Sequence, residues 1–216
     1  CYANHMDATA VALIADIIGS RSLVSRERAQ QDVLTAFRRS EQFVAPPVRG
    51  YATVGDEFQA VYDDVQQAIV ASTIVLLALP DELELRLGIG VGTDRVVSTD
   101  GGTAIRDGDA WWNAREAIDN VKRAERGARS AAHTGFVDPQ HPGASVVRAA
   151  LLLRDHVVAA MNSRERRIAL AGLEGTSQQR TADSEGITQS AVSQSWRRSG
   201  AISLVEMLHA LREEPR

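Results

Sequence analysis

Thr53-Val-Gly-Asp-Glu-Phe-Gln-Ala-Val-Tyr-Asp63 sets a glycine and two acids between a β-branched pair and an alternating aromatic–aliphatic run. Gly55-Asp56 is a turn signal, and Phe58, Ala60 and Tyr62 repeat at the two-residue period of a strand. Val48 to Val54, which follows Pro46-Pro47, reads as the partner strand. The segment is therefore a hairpin with Asp56 and Glu57 at its tip. Acids so placed are either solvated turn residues or half of a metal site that needs another carboxylate from elsewhere in the chain.

The flanking sequence fills in the rest. Ala8-Thr-Ala-Val-Ala-Leu-Ile-Ala-Asp16 is a continuous apolar run ending in an acid, which predicts a strand buried on both faces before the break at Gly19-Ser20. From Ser25 onward, Ala29, Val33, Ala36 and Phe37 fall at helical spacing. Asp63 or Asp64 is placed to cap a second helix running to Pro80, and Leu83 to Val91 is strand-like, with Leu83, Leu85 and Leu87 as core. Asp100-Gly-Gly102 reads as a hairpin turn before Thr103-Ala-Ile105. Asp107 is expected to cap a helix over Asp109 to Arg126; a strand within Arg129 to Val137 and an apolar helix over Ser145 to Met161 follow. That order predicts an α+β fold with a mixed sheet and helices covering one or both faces. After Asn162 come four short helical candidates with no strand signal. The predicted organisation is one domain over residues 7–161 and a small all-α domain over 162–216.

Composition narrows the function classes. The net charge of −4 argues against a wholly basic nucleic-acid coat. An acidic excess before Asn162 gives way to a slight basic excess after it. The only cysteine is Cys1, in a leading CYANH that reads as a cloning remnant, so residues 1–6 are set aside as that remnant plus an initiator methionine. A disulfide framework or cysteine zinc site within one chain is excluded. No secretory leader is read. The longest apolar run, Ala68 to Leu79, is interrupted by Ser72-Thr73 and too short to span a bilayer, so the expectation is a cytoplasmic protein with no membrane partner.

In a β-α-β-β order the first strand lies beside the hairpin, so Asp16 and Asp56 can reach one point. Neighbouring acids repel, and a divalent cation is the usual compensation; magnesium takes a few carboxylate oxygens together with substrate phosphates. Ile17-Ile-Gly-Ser-Arg21 supplies what phosphates need: close backbone approach at Gly19, successive N–H groups, and a guanidinium fork at Arg21. The alternative leaves both acids as solvated turn residues. Arg115, Lys122 and Arg123 either contact phosphate or base or form a charged helix face in water. Of the adjacent Trp111 and Trp112, one is expected in the core, the other at a contact with a base or a subunit.

Asp16-Ile-Ile-Gly-Ser-Arg21, Val54-Gly-Asp-Glu-Phe58 and Arg86-Leu-Gly-Ile-Gly-Val-Gly92 resemble the ferredoxin-like palm domain of class III nucleotide cyclases and diguanylate cyclases. Taken with Asp109-Ala-Trp-Trp-Asn-Ala-Arg-Glu-Ala-Ile118, the set resembles the SatD family over nearly the whole chain. That family carries a cyclase-like palm, often followed by a helix-turn-helix. The resemblance implies Asp16 and Asp56 as ligands of Mg²⁺ (or Mn²⁺), assisted by the Ile17 carbonyl. It implies Ile18, Gly19, Ser20 and Arg21 as phosphate holders, with Gly55, Asn113, Arg115 and Lys122 as further nucleotide contacts. Two departures stand out. Diguanylate cyclases have two glycines before the acids, whereas Val54 stands first here. Nucleotide cyclases place an arginine one helical turn after the asparagine, whereas Ala117 follows Asn113, and Arg115 lies about 200° away round the helix.

Gln178 to Trp196 resembles a helix-turn-helix. Ala182 is small where two helices cross, Gly186 permits a left-handed turn, Ile187 and Val192 are the buried anchors, and Thr188 can cap the second helix. Thr188, Gln189, Ser190, Ser193, Gln194, Arg197 and Arg198 then form a polar, basic face suited to double-stranded DNA. Ser195 stands where an apolar residue is usual, with Trp196 as its stand-in. Arg164, Arg166, Arg167 and Arg180 are candidates for further phosphate contacts. The alternative is a packing or oligomerisation hairpin with the same small-residue pattern.

Three functions compete. One is a DNA-binding transcriptional regulator whose palm senses a purine nucleotide (ATP, GTP or a cyclic derivative) with Mg²⁺. Another is a nucleotidyl cyclase or related enzyme releasing pyrophosphate, with Asp16, Asp56 and Glu57 as its catalytic acids. The third is a scaffold with both motifs vestigial. The first two expect a homodimer, and the missing arginine after Asn113 favours the regulator.

Overall fold

The computed structural model describes residues 9–53, 55–100, 103–126 and 132–213. Val54, the Gly101-Gly102 turn and the start of the 129–137 expectation lie outside them. Chain order is β1 (Thr9–Ile17), a 3-10 turn (Ser20–Ser22), α1 (Arg26–Ser40), β2 (Val48–Ala52), β3 (Glu57–Tyr62), α2 (Val65–Ala78) and β4 (Leu85–Thr93). A two-stranded arm, β5 (Arg95–Asp100) with β6 (Thr103–Asp107), precedes α3 (Asp109–Arg126), β7 (Thr134–Val137) and α4 (Ala144–Ala160). Four more helices follow: α5 (Ser163–Leu173), α6 (Gln178–Glu185), α7 (Gln189–Arg198) and α8 (Ala201–Glu213). The fold is α+β, with a mixed five-stranded sheet in the order β2-β3-β1-β4-β7. Among the described residues no helix is long and apolar enough to cross a membrane.

The first strand is central because it is apolar on both faces. It pairs antiparallel with β3 and β4, and β7 joins β4 in parallel. Val11, Leu13, Ala15 and Ile17 enter the cluster built on α1 and α2; Ala12 and Ile14 face Ala110, Trp111, Ala114 and Ile118 of α3. The two-residue alternation of side chains thus sends Asp16 to the α3 face.

Glycines bring α3 close. A methyl at Gly90 would stand 2.1 Å from the Ala114 nitrogen and 2.3 Å from the Ala110 carbonyl oxygen; one at Gly88 would meet the Ala114 oxygen at 2.2 Å. On β7, a methyl at Gly135 would meet the Ala117 oxygen at 2.2 Å. The helix therefore lies backbone-to-backbone on the sheet, alanine over glycine. Ala117 is fully buried there, so the absence of an arginine at this position follows from packing.

On the opposite face α2 is buried all round, from Gln67 through Leu77. A helix apolar on every side needs cover on every side. The sheet, α1, α4, α5 and α8 supply it, and Ile74→Ala or Leu77→Ala should each cost about 2–5 kcal/mol. Leu170, Leu173, Leu204 and Leu208 belong to the same apolar cluster as Leu13 and Leu87, so the core runs on past Asn162. Arg39 binds Glu174 at 2.6 Å and Arg166 pairs with Asp81 across the same junction.

Local caps mostly follow the sequence. Asp64 caps α2 through the Gln67 amide at 2.7 Å, and Asn162 opens α5 with a reciprocal capping box on Glu165. Asp107 differs from expectation: it ends β6 and pairs with Arg95 at 3.5 Å, while Thr93 Oγ1 accepts the Asp109 amide at 3.2 Å. A strand residue tied to its cross-strand partner is not available as a cap.

Candidate functional site

Asp16 is the next-to-last residue of β1, opposite Glu57 on β3 and Arg86 on β4. The hairpin tip docks onto this strand end. The Ile17 amide donates to the Asp56 carbonyl at 3.3 Å, the Ile18 amide to the Glu84 carbonyl at 2.9 Å, and Gln30 of α1 to the Gly55 carbonyl at 2.8 Å. These bonds place Asp16 and Asp56 on the wall of one open cleft of about 450 Å³. Its floor is the loop Ile17, Gly19, Ser20 and Arg21, and its far side is Arg86 with Lys122 and Glu125 from the last turns of α3. A smaller lobe of about 180 Å³ continues past Asp56 to Gly55, Arg26 and Gln30.

The loop is fixed by its own bonds. Gly19 adopts φ 68°, a left-handed conformation that favours glycine, and its carbonyl accepts from both the amide and the hydroxyl of Ser22. The amides of Gly19, Ser20 and Arg21 have no main-chain acceptor among the described residues. Arg21 is exposed.

Charges at the cleft are arranged asymmetrically. The Asp16 carboxylate lies 3.0 Å from Lys122 Nζ and 3.6 Å from an Arg86 terminal nitrogen. Arg86 also forks onto Glu125, with contacts of 2.8–3.0 Å. Asp56 makes no side-chain hydrogen bond or ion pair among the described residues. No group of three or more Asp, Glu, His or Cys residues able to hold a metal occurs among the described residues. Asp16 and Asp56 are the two carboxylates that would hold a cation here, a donor set that suits Mg²⁺ with water or phosphate oxygens completing its shell.

Other predicted residues fall elsewhere in the chain. Asn113 sits near the start of α3 and donates to the Val91 carbonyl at 2.8 Å. Val91 lies five residues along β4 from Arg86, about 17 Å at strand rise. Arg115 pairs with Glu57 at 2.6 Å, which Gln59 also binds at 3.0 Å, so Glu57 is committed within the sheet's α3 face. Trp111 is core and donates to Asp94 at 2.9 Å; Trp112 is 64% exposed. Sequence reasoning missed Arg86 and Glu125. Both left a signal, since Arg86 interrupts the Leu85/Leu87 alternation on the face opposite those leucines, and Glu125 follows Lys122 by three residues on one helix face.

The C-terminal helices form a second candidate surface. Ser177 caps α6, Gly186 turns the chain at φ 64°, and Thr188 caps α7 through the Ala191 amide at 3.2 Å. Ile168, Ala182 and Val192 form a small core, flanked by Ile187 and Trp196. Trp196 needs Gly172, where an added methyl would meet its ring at 1.8 Å. Thr188, Gln189, Ser190, Gln194, Arg197 and Arg198 are exposed and Ser193 half-buried. Three of the four additional arginines are tied to acids: Arg164 and Arg167 to Glu185, and Arg166 to Asp81. The Arg167 hydrogen bond draws the Glu185 pKa down, against a smaller opposing effect of burial. Arg180 alone of the four has no side-chain partner among the described residues.

The SatD family profile matches residues 10–205, most of the chain. The chain belongs to the SatD family. No curated protein matches this SatD member. A similar solved structure is the crystal structure of a regulator of polyketide synthase expression from Bifidobacterium adolescentis, at 15% identity over 94% of this chain and 80% of that one. Its TM-score is 0.31.

Proposed function

We propose that this SatD protein is a DNA-binding transcriptional regulator whose sheet domain is a ferredoxin-like palm that binds a purine nucleotide with Mg²⁺ (or Mn²⁺). The β-α-β-β-α-β connection of β1 to β4 and their order β2-β3-β1-β4 support the palm. One observation carries the ligand: Asp16 and Asp56 share a cleft with a loop of unused amides and three cations, Arg21, Arg86 and Lys122. Amides and guanidinium groups recognise phosphate oxygens, and carboxylates hold the accompanying cation. The cation would sit between Asp16 and Asp56, neutralising phosphate charge. The chain's own residues orient the ligand.

The reader of DNA is α7, with its exposed polar face and with Arg180, Arg197 and Arg198 as phosphate contacts. Helices α5 and α8 rest on α2, and the segment between α2 and β4 touches both regions, through Glu84 to Ile18 and Asp81 to Arg166. That segment gives occupancy of the cleft a physical route to the helical module. Exposed Val146 and Leu153 on α4, 70% and 68% accessible, are in keeping with a homodimer, which paired operator half-sites require. Residues 117 and 113 supply no transition-state group to the cleft of their own chain, so binding is favoured over turnover.

The test is DNA affinity, at fixed salt, with and without nucleotide and Mg²⁺. Asp16→Ala and Asp56→Ala should keep DNA binding and lose the nucleotide response. A response unchanged in both variants would overturn the site assignment, and steady pyrophosphate release by the wild type would replace the regulator with an enzyme.

A further inference from the structure

We propose that Lys122 and Arg86 are exchangeable counterions of Asp16, so that the cleft takes a divalent cation only together with a polyphosphate ester. This rests on the nucleotide-binding reading above and adds an order to it. Two ligand carboxylates are expected at the metal position, yet only Asp56 is unpaired. Asp16 already has Lys122 at 3.0 Å and Arg86 at 3.6 Å. A cation arriving alone meets one free carboxylate, Asp56. Asp16 is engaged by Lys122 and, at longer range, by Arg86, and Glu125 is engaged by Arg86, so the cation gains one ligand where it needs several.

Phosphate changes the pairing. Arg86 is held by Glu125 in a fork of the kind that guanidinium makes equally well with phosphate. The Lys122 side chain is one-third exposed, at 34%, and free to swing onto a ligand oxygen. When both cations move to the ligand, Asp16 is released with its negative charge uncompensated, beside Asp56. The metal then binds to two carboxylates and to phosphate oxygens.

The exchange selects the ligand class. A cyclic phosphodiester carries one negative charge, too little to draw off both cations. A phosphomonoester carries at most two charges, enough to match those two cations but leaving a single terminal oxygen and no further charge for the metal. Adjacent phosphates, as in a nucleoside triphosphate, supply both sets. Metal and polyphosphate are therefore mutually required, a reciprocal coupling of the two sites.

The experiment measures Mn²⁺ binding alone by the loss of its free paramagnetic signal. In parallel, binding of fluorescent ribose-labelled ATP and GTP is measured with and without Mn²⁺. Wild type should bind Mn²⁺ weakly by itself and the triphosphates tightly only with it. Lys122→Met should raise affinity for Mn²⁺ alone by at least about fivefold, the low end of typical coupling, while weakening triphosphate binding. Lys122→Arg keeps the charge and should retain the wild-type order. Glu125→Gln frees Arg86, so it should tighten triphosphate binding without strengthening Mn²⁺ alone. Melting temperatures confirm that each variant is folded. Triphosphate binding that persists with equal Mn²⁺ affinity in wild type and Lys122→Met overturns the exchange and leaves the nucleotide reading standing. Tight Mn²⁺ binding by the unliganded wild type does the same. Absence of triphosphate binding in the wild type overturns both.

Discussion

Two ion networks lie at the same end of the sheet, on opposite faces, and they have opposite fates. On the α3 face, Asp16, Arg86, Lys122 and Glu125 pair in an open cleft, with side chains 16–34% exposed. On the other face, Arg154 and Asp155 of α4 are sealed, at 3% and 1% exposure. Arg154 donates to Ser72, Thr73 and Thr134, and Asp155 accepts from the His133 and Thr134 amides and the Thr134 hydroxyl. Burial pushes the Arg154 pKa down and the Asp155 charge opposes it. Thr134 pairs with Leu87, the residue next to Arg86, so a single step along β4 separates the two networks. The same residue types are a rivet where both terminal guanidinium nitrogens and both carboxylate oxygens are bonded and water is excluded. Where water reaches them, their partners can be exchanged.

The comparison can be broken most decisively at the rivet. Asp155→Ala strands a buried guanidinium and should cost about 3–5 kcal/mol, read by chemical denaturation; a loss under 1 kcal/mol would make the buried pair ornamental. Gly90→Ala comes next. It drives a methyl into α3 backbone and should cost about 1–3 kcal/mol or more, with the cleft's ligand response lost as Lys122 shifts away from Asp16. Gly172→Ala, which displaces Trp196, should cost a similar amount and weaken DNA binding while leaving nucleotide binding intact.

Asp16→Asn sits at the other extreme. Removing the charge of this half-buried, water-reached partner should change stability by about 1 kcal/mol or less, while abolishing nucleotide-dependent stabilisation in thermal shift. A large melting change would place Asp16 among the structural ions.

The smallest expected effect is a pH dependence. The Arg167 hydrogen bond holds the Glu185 carboxylate below its usual 4.5, so its contribution is full above that value and is lost as pH falls through the lowered one. For Asp94, burial pushes the pKa up, but hydrogen bonds from Arg106 and Trp111 outweigh it and leave it lowered. The sign is therefore the same. Hydrogen exchange between pH 5 and 3 should show the α5–α6 clasp and the base of the β5–β6 arm opening earlier than the central strands. Uniform opening would refute it.

Much of the layout was legible because its signals are local. The apolar run ending in Asp16, the Gly55-Asp56 turn and the Asp109–Arg126 helix each follow from neighbours in sequence, and so do the Gly186 turn and Thr188 cap. Their order alone brought Asp16 and Asp56 together. The partners of Asp16 were not legible, because Arg86 and Lys122 reach it only through strand pairing and the seating of α3. Nor was the role of Gly88, Gly90 and Gly92, which resembled a motif in sequence and serve as a bed for α3. Asn113 and Arg115, two residues apart, were directed by that same seating to Val91 and Glu57, and neither lines the cleft. By itself the sequence determined which segments form helices and strands, since periodicity and turn chemistry act over a few residues. Tertiary structure alone decided which charges meet and which of them stay wet, because contact and burial arise between segments far apart in the chain.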